Sequence, residues 1–156
     1  MKKVRIGTQI GTMEALVTEK GLAALEISRE VPDPPGELPE LERWLDEYFS
    51  GRDPGELKMP LDLSGSTPFQ RRIYDQLMHV PFGERLSYSE LGELAGYNGS
   101  PRAVGGAVGA NPIMLAIPCH RVLAKGPNST YALGGFSAGL DIKKRLLELE
   151  QSDFRS

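Results

Sequence analysis

The spacing of apolar residues differs between the first 30 residues of this chain and the rest of it. Val4, Ile6 and Ile10 stand at alternate positions, and similar short runs follow Gly11 and Gly21. Strict alternation is typical of half-buried strands, and glycines between such runs are typical of turns. The pattern predicts a small antiparallel sheet at the start of the chain.

Apolar residues recur at helical spacing from Leu38, which predicts a first helix that ends at Gly51. An irregular stretch rich in proline and glycine follows up to residue 65, so we place a boundary there and predict two domains, 1–62 and 63–156. A final helix is predicted from Leu140, with its apolar face formed by Leu140, Ile142, Leu146, Leu147 and Leu149, and it ends near Glu150.

Three helix starts in the second half carry capping sequences. These are Thr67-Pro-Phe-Gln70, Ser87-Tyr-Ser-Glu90 and Ser100-Pro101. The last two open short helices that end near Gly96 and Asn111, with a polar turn between them. Two short helices joined in this way have the proportions of a helix-turn-helix.

The second helix of this pair contains Gly105, Gly106 and Gly109. Each glycine costs about 1 kcal/mol of helix stability relative to alanine. Either the helix packs tightly in the core, or its backbone must approach a ligand as large as a nucleic-acid groove. The sequence leaves both alternatives open.

An uninterrupted apolar run at residues 113–117 predicts a buried extended segment that leads into Pro118-Cys119-His120-Arg121-Val122. A loop rich in Gly, Ser and Asn is predicted from Ala124 to Gly139. Cys119 is the only cysteine of the chain, so its thiol is either an inert core group or a reactive one. The neighbouring His120 and Arg121 can both stabilise a thiolate, and Glu150 is the candidate acid that would orient His120.

Composition limits the other classes of function. One cysteine and two histidines argue against a structural metal, and the absence of a long apolar run predicts a soluble, cytoplasmic protein without a membrane partner. Residues 1–62 carry 8 Lys and Arg against 13 Asp and Glu, whereas residues 63–156 carry 10 against 8. No acidic residue occurs between Ala95 and Leu140, so this stretch could approach a phosphate backbone.

The sequence Pro118-Cys119-His120-Arg121-Val122, preceded by Arg102-Ala-Val-Gly-Gly-Ala107 and Asn111-Pro112, resembles the signature of the O6-alkylguanine-DNA alkyltransferases, also called methylated-DNA-protein-cysteine methyltransferases. The resemblance covers about residues 64–150. It implies an α/β (α+β) fold: a small ribonuclease H-like domain of strands and helix, followed by a helical domain with a helix-turn-helix of winged-helix type.

The resemblance also implies a function. Family members bind double-stranded DNA through the minor groove as monomers, flip O6-alkylguanine out of the helix, and transfer its alkyl group irreversibly to the cysteine without a cofactor. O4-alkylthymine is a further candidate lesion. Repair of this kind is stoichiometric, because the alkylated cysteine is not regenerated.

Roles for individual residues follow from the same resemblance. Cys119 is the expected nucleophile, His120 activates it through a water, Glu150 orients His120, and Asn111 holds the cysteine segment. Tyr88 is expected to assist flipping, and Arg102 to fill the gap in the base stack. The expected DNA-binding residues are Arg102, Tyr88, Ala103, Gly105, Gly106 and Ala107, and the expected pocket residues are Val122, Phe136, Ser137 and Ala138.

Two pocket positions depart from the family pattern. Phe136 replaces a tyrosine and Ala138 replaces a glycine found in many relatives, which bears on the range of lesions accepted. Three other functions remain as alternatives: a cysteine hydrolase with turnover, a DNA-binding regulator in which Cys119 senses redox state, and a relative that binds lesions without transfer.

Overall fold

The structure is a computed structural model that describes residues 1–29, 37–125, 131–136 and 138–152. The chain divides into two compact units. One contains Met1–Gly65 together with Pro112–Ala116, and the other contains Ser66–Asn111 together with Ile117–Ser156. The predicted division at residues 62/63 remains a prediction, and it did not anticipate that residues 112–116 belong with the first unit.

The first unit is built on a three-stranded antiparallel sheet, as the alternating pattern predicted. Its strands are β1 (Lys2–Thr8), β2 (Gly11–Thr18) and β3 (Gly21–Ser28), paired in the order β1-β2-β3. Gly21 must be a glycine, because its φ is 137° and a Cβ there would lie 2.1 Å from the Pro60 carbonyl oxygen. Helix α1 (Pro39–Phe49) contributes Leu41, Leu45 and Tyr48 to the core.

The segment 113–117 is buried at Ile113, Leu115 and Ile117 as predicted, but it is not extended throughout. Ile113 forms a parallel bridge with Leu25 of β3. Leu115 then adopts a positive φ of 73°, and the Ala116 N–H bonds to the Met114 carbonyl at 3.0 Å. This tight turn corrects the prediction, since an apolar run alone does not reveal a reversal of the backbone.

The second unit contains the predicted pair of short helices. Helix α2 (Pro68–Leu77) and helix α3 (Tyr88–Leu94) both begin with complete capping boxes, at Thr67 and Ser87. Helix α4 (Pro101–Gly109) begins after Ser100, whose hydroxyl accepts from the Arg102 N–H. Helices α3 and α4 pack against each other and are joined by the polar turn, as in a helix-turn-helix.

Short strands accompany these helices. Strand β4 (Leu86–Ser87) pairs in parallel with β5 (Val122–Lys125), and β5 pairs antiparallel with β6 (Tyr131–Ala132). The predicted loop from Ala124 to Gly139 therefore contains the antiparallel pairing of β5 with β6. These pairs are only two residues long, which is too short for an alternating pattern to show.

Helix α5 (Leu140–Leu149) closes the unit close to its predicted position. Its buried face differs from the prediction, because Leu140 is 48% exposed whereas Lys143 is fully buried together with Leu146 and Leu147. No helix in the described ranges is long and apolar enough to cross a membrane.

Candidate active site

Cys119 is the first residue of a 3₁₀ turn, Cys119–Arg121, that lies directly before β5. Its side chain is buried, with 4% of the residue exposed. The preceding Pro118 has φ −78° and ψ 67°, and the Cys119 N–H bonds to the Ile117 carbonyl at 2.7 Å. This compact turn, rather than a regular element, fixes the position of the sulfur.

His120, Arg121 and Glu150 form one buried network. The His120 Nε2 and the Glu150 Oε2 are 2.5 Å apart, and the Arg121 Nε donates to the Glu150 Oε1 at 2.8 Å. The Gly83 N–H donates to the same Oε1 at 3.0 Å, and the Arg121 Nη1 donates to the Val80 carbonyl at 2.8 Å. The predicted proximity of His120 and Glu150 is thus present in the structure.

The protonation states of the network follow from its burial and charges. Burial lowers the pKa of His120, so its imidazole is neutral. Burial alone would raise the pKa of Glu150, but the hydrogen bonds from His120 and Arg121 and the charge of Arg121 outweigh it and hold that pKa well below its usual range. A neutral His120 that donates from Nε2 to this carboxylate has its lone pair on Nδ1, which can accept a proton.

The thiol of Cys119 is buried, and this burial opposes its ionisation. Burial raises its pKa, while a hydrogen bond from the Asn111 side chain and the charge of Lys143 lower it in part. The Asn111 Nδ2 also donates to the Ile117 carbonyl at 2.8 Å, two residues before the cysteine. The resting group is therefore the thiol, and a base is needed to generate the thiolate that attacks.

Sequence reasoning missed Lys143, a fully buried lysine whose charge acts on the cysteine. Its amino group donates to the Val122 carbonyl at 2.7 Å and to the Gly135 carbonyl at 3.0 Å, and it lies 5.9 Å from the centre of the Phe136 ring. Burial lowers the pKa of Lys143 to about 8. Arg121, which the sequence suggested as a thiolate partner, is bound to Glu150 instead.

Tyr88 is the first residue of α3, and its side chain lies near both Gly135 and Gly105 of α4. Its hydroxyl donates to the Gly135 carbonyl at 3.5 Å, a long contact, and a Cβ added at Gly105 of α4 would lie 3.9 Å from its ring. Burial raises the pKa of Tyr88, so its phenol stays protonated. Gly135 therefore accepts from both Tyr88 and Lys143.

The exposed face of α4 carries almost no side-chain bulk. Ala103, Gly106 and Gly109 are exposed, and a Cβ added at Gly106 or Gly109 would meet nothing within 4 Å. Core packing therefore does not explain these two glycines, which leaves close approach by a ligand as the alternative. Arg102 projects from the same face, and its guanidinium has no partner within the part of the chain that the structure describes.

The remaining predicted positions are distributed as follows. Ala107 and Val122 are buried, and Phe136 and Ala138 are half-buried. Ser137, another of the predicted pocket residues, lies outside the described residues. No group of His, Cys, Asp and Glu side chains suited to a metal ion occurs among the residues described.

The second unit thus combines the two helices of a helix-turn-helix with a buried cysteine that precedes a neutral histidine held by a carboxylate. The family model for the 6-O-methylguanine DNA methyltransferase, DNA binding domain, matches residues 68–152. The chain belongs to this family, which confirms the resemblance found in the sequence.

Individual relatives agree with this assignment. The methylated-DNA–protein-cysteine methyltransferase of Metallosphaera sedula is 43% identical over 69% of this chain and 64% of its own length. A probable enzyme of the same name from Acanthamoeba polyphaga mimivirus is 39% identical over 70% and 69%. This chain thus spans about two thirds of the length of these curated relatives.

Solved structures match the chain more completely. Mycobacterium tuberculosis OGT in complex with DNA has a TM-score of 0.81 and 33% identity, covering 96% of this chain and 92% of that one. The O6-methylguanine-DNA methyltransferase of Pyrococcus kodakaraensis has a TM-score of 0.66 and 25% identity, covering 96% of both chains. These matches confirm the mixed α/β fold.

Proposed function

We propose that this chain repairs O6-alkylguanine in duplex DNA by transferring the alkyl group irreversibly to Cys119. The names of its relatives and its family membership support this class of reaction. The observation that carries the proposal is the arrangement of Cys119, held by Asn111, beside a neutral His120 whose Nε2 is fixed by Glu150.

The transfer is a substitution at the alkyl carbon. His120 takes the thiol proton through a water at Nδ1, and the Cys119 sulfur attacks the carbon bound to guanine O6. The sulfur–carbon bond forms as the oxygen–carbon bond breaks, and the electron pair of the broken bond passes to the guanine. The proton then passes to the purine, leaving guanine and S-alkylcysteine. Glu150 remains ionised and stabilises the imidazolium that forms transiently.

DNA is held by the exposed face of α4, in our proposal. A minor groove about 6 Å wide admits a helix only when its side chains are small, as at Ala103, Gly106 and Gly109. Arg102, at the start of this face, would occupy the space left by the flipped base and offset part of the cost of flipping. Tyr88, at the start of α3, would contact the extruded nucleotide.

The pocket for the flipped guanine would lie between Val122 and the segment that contains Phe136 and Ala138. The Val122 carbonyl has a second lone pair besides the one bound to Lys143, and that lone pair can accept from the guanine amino group. Phe136 has no hydroxyl to offer the lesion, and the methyl group of Ala138 would reduce the space for large alkyl groups. O4-alkylthymine remains a second candidate lesion. By resemblance to the family, the Ser137 amide would donate to the alkylated oxygen.

Finer features of the fold belong to the same proposal. The small sheet β4-β5-β6 beside α3 and α4 supports a winged-helix type of DNA-binding domain. The sheet β1-β2-β3 with α1 supports the ribonuclease H-like description of the first unit, and the boundary at 62/63 is retained for the domains. A monomeric state and a cytoplasmic location are part of the proposal.

Stoichiometry tests the proposal directly. Incubation with a large excess of duplex DNA containing O6-methylguanine should repair one lesion per protein molecule and then stop. Intact-mass measurement should show the gain of one methyl group, and peptide mapping should place it on Cys119, the only cysteine. Continued turnover would identify a hydrolase, and lesion binding without any mass gain would identify a protein that binds without transfer.

A further inference from the structure

Helix α4 needs anchors outside its own sequence. Three of its nine residues are glycines, and each lowers helix stability by about 1 kcal/mol relative to alanine. Its buried residues are Val104, Ala107 and Val108, which are small to medium in size. The contacts that hold its last turn therefore have a large influence on where that turn lies.

Tyr74 of α2 provides such a contact. Its side chain is fully buried, and its hydroxyl donates to the Ala107 carbonyl at 2.7 Å. That carbonyl lies in the last turn of α4, where it also accepts from the Ala110 N–H at 3.2 Å. Burial raises the pKa of Tyr74 to about 12, with a smaller contribution from Cys119, so the phenol stays protonated.

The turn held by Tyr74 leads directly into Asn111. The Asn111 N–H bonds to the Val108 carbonyl at 3.2 Å, which continues the last turn of α4. From there the Asn111 side chain donates to the Ile117 carbonyl and hydrogen-bonds to Cys119. A displacement of this turn would therefore move the amide that stabilises the thiolate.

We propose that Tyr74 is a positioning residue for alkyl transfer: its hydroxyl fixes the last turn of α4 and, through that turn, the Asn111 amide at Cys119. The part of this inference that concerns transfer rests on the proposed function. The part that concerns the pKa of the Cys119 thiol does not, because that pKa is measured on the protein without DNA.

The first test is Tyr74→Phe, which keeps the ring and removes only the hydroxyl. Tyr48→Phe is the matched control, since Tyr48 is also a fully buried tyrosine but lies in the first unit. The titration of the single cysteine is monitored through its carbon-13 chemical shift. The midpoint of this titration should move to higher pH by about half a pH unit in Tyr74→Phe only. Thermal unfolding identifies the range in which both variants are folded.

The second test is a double-mutant cycle with Asn111→Ala. Tyr74→Phe should slow methyl transfer from saturating duplex DNA by about three- to tenfold, and it should have little further effect in the Asn111→Ala background. If the rate losses caused by Tyr74→Phe and Asn111→Ala were independent and additive, Tyr74 would not act through Asn111. An unchanged thiol titration in folded Tyr74→Phe would overturn the proposal itself. If the parent protein transfers no methyl group, the proposed function fails, but the thiol titration still decides the role of Tyr74.

Discussion

The amino group of Lys143 lies 2.7 Å from the carbonyl oxygen of Val122, three residues after the cysteine. A second bond joins the same amino group to the Gly135 carbonyl. Lys143 therefore connects the strand that follows Cys119 to the segment that contains Phe136. A buried ammonium in this position both holds the backbone and favours negative charge on the nearby sulfur.

Replacing Lys143 by Met should slow alkylation of Cys119 by about tenfold at neutral pH, because the pKa of the thiol rises when the neighbouring charge is removed. The pKa of Lys143 is lowered to about 8, so the ammonium is present below that pH and is lost above it. The ratio of the parent rate to the variant rate should therefore fall as pH rises above about 8. Single-turnover rates between pH 6 and 10 test this.

Lys144→Met is the matched control for this prediction. Lys144 is the next residue of α5 and is exposed, so the same substitution there removes one charge without changing the site. It should leave both the rate and its pH dependence unchanged. An equal loss in the two variants would mean that net charge, through DNA binding, explains the effect.

Glu150 should make the fold sensitive to acid. Its pKa is held below the usual range in the folded protein, whereas an unfolded glutamate titrates near pH 4.3. The resulting stabilisation is present above about pH 4.3 and is lost as pH falls toward the folded pKa. Glu150→Gln should destabilise the protein by about 3 kcal/mol at pH 7 and show a weaker loss of stability on acidification.

Denaturant unfolding at pH 7 and at pH 3.5 measures this difference. Glu148→Gln serves as the control, because Glu148 is an exposed glutamate of the same helix. If Glu150→Gln and Glu148→Gln lose stability alike, the buried network does not contribute in the way the structure indicates.

Arg102→Ala should affect repair of duplex DNA far more than reaction with free O6-benzylguanine. Only the duplex requires a base to be flipped, and Arg102 is exposed, with no partner among the described residues that would give it a role in the fold. The two second-order rate constants, measured on the same preparations, provide the comparison. Equal losses on both substrates would instead assign Arg102 to the stability of the pocket.

Local sequence signals predicted the elements of the site well. The capping boxes at Thr67 and Ser87 are both complete in the structure, because each depends only on residues three positions apart. Glu150 was also predicted as the acid that orients His120, first as a candidate from its residue type and then from the family resemblance. No sequence pattern by itself places those two residues together across 30 positions.

Contacts set by tertiary packing were not predictable in this way. A lysine such as Lys143 is expected to be exposed, and its burial depends on two carbonyls that only the folded chain brings together. The bond from Tyr74 to Ala107 spans 33 positions and is equally invisible to local patterns. The turn at Leu115 was missed because apolar runs carry no information about the sign of φ.

Gly106→Ala should stabilise the protein while weakening its binding to DNA. A Cβ at Gly106 meets nothing within 4 Å, so the substitution adds helix propensity, worth about 0.5–1 kcal/mol, without a clash. The same methyl group would stand on the face of α4 that we place in a narrow groove, where it would separate the helix from the DNA.

Gly7→Ala is the control, because Gly7 also has open space at its Cβ but lies on β1 in the first unit. Thermal unfolding and fluorescence anisotropy with duplex DNA, both in a Cys119→Ser background that cannot react, give the two quantities. We expect Gly106→Ala to be more stable than the parent and to bind DNA at least about fivefold more weakly, on the order of the loss of one close contact. We expect Gly7→Ala to bind DNA as the parent does. Unchanged DNA affinity in Gly106→Ala would show that the smooth face of α4 does not enter the groove, and the reason for its glycines would have to be sought elsewhere.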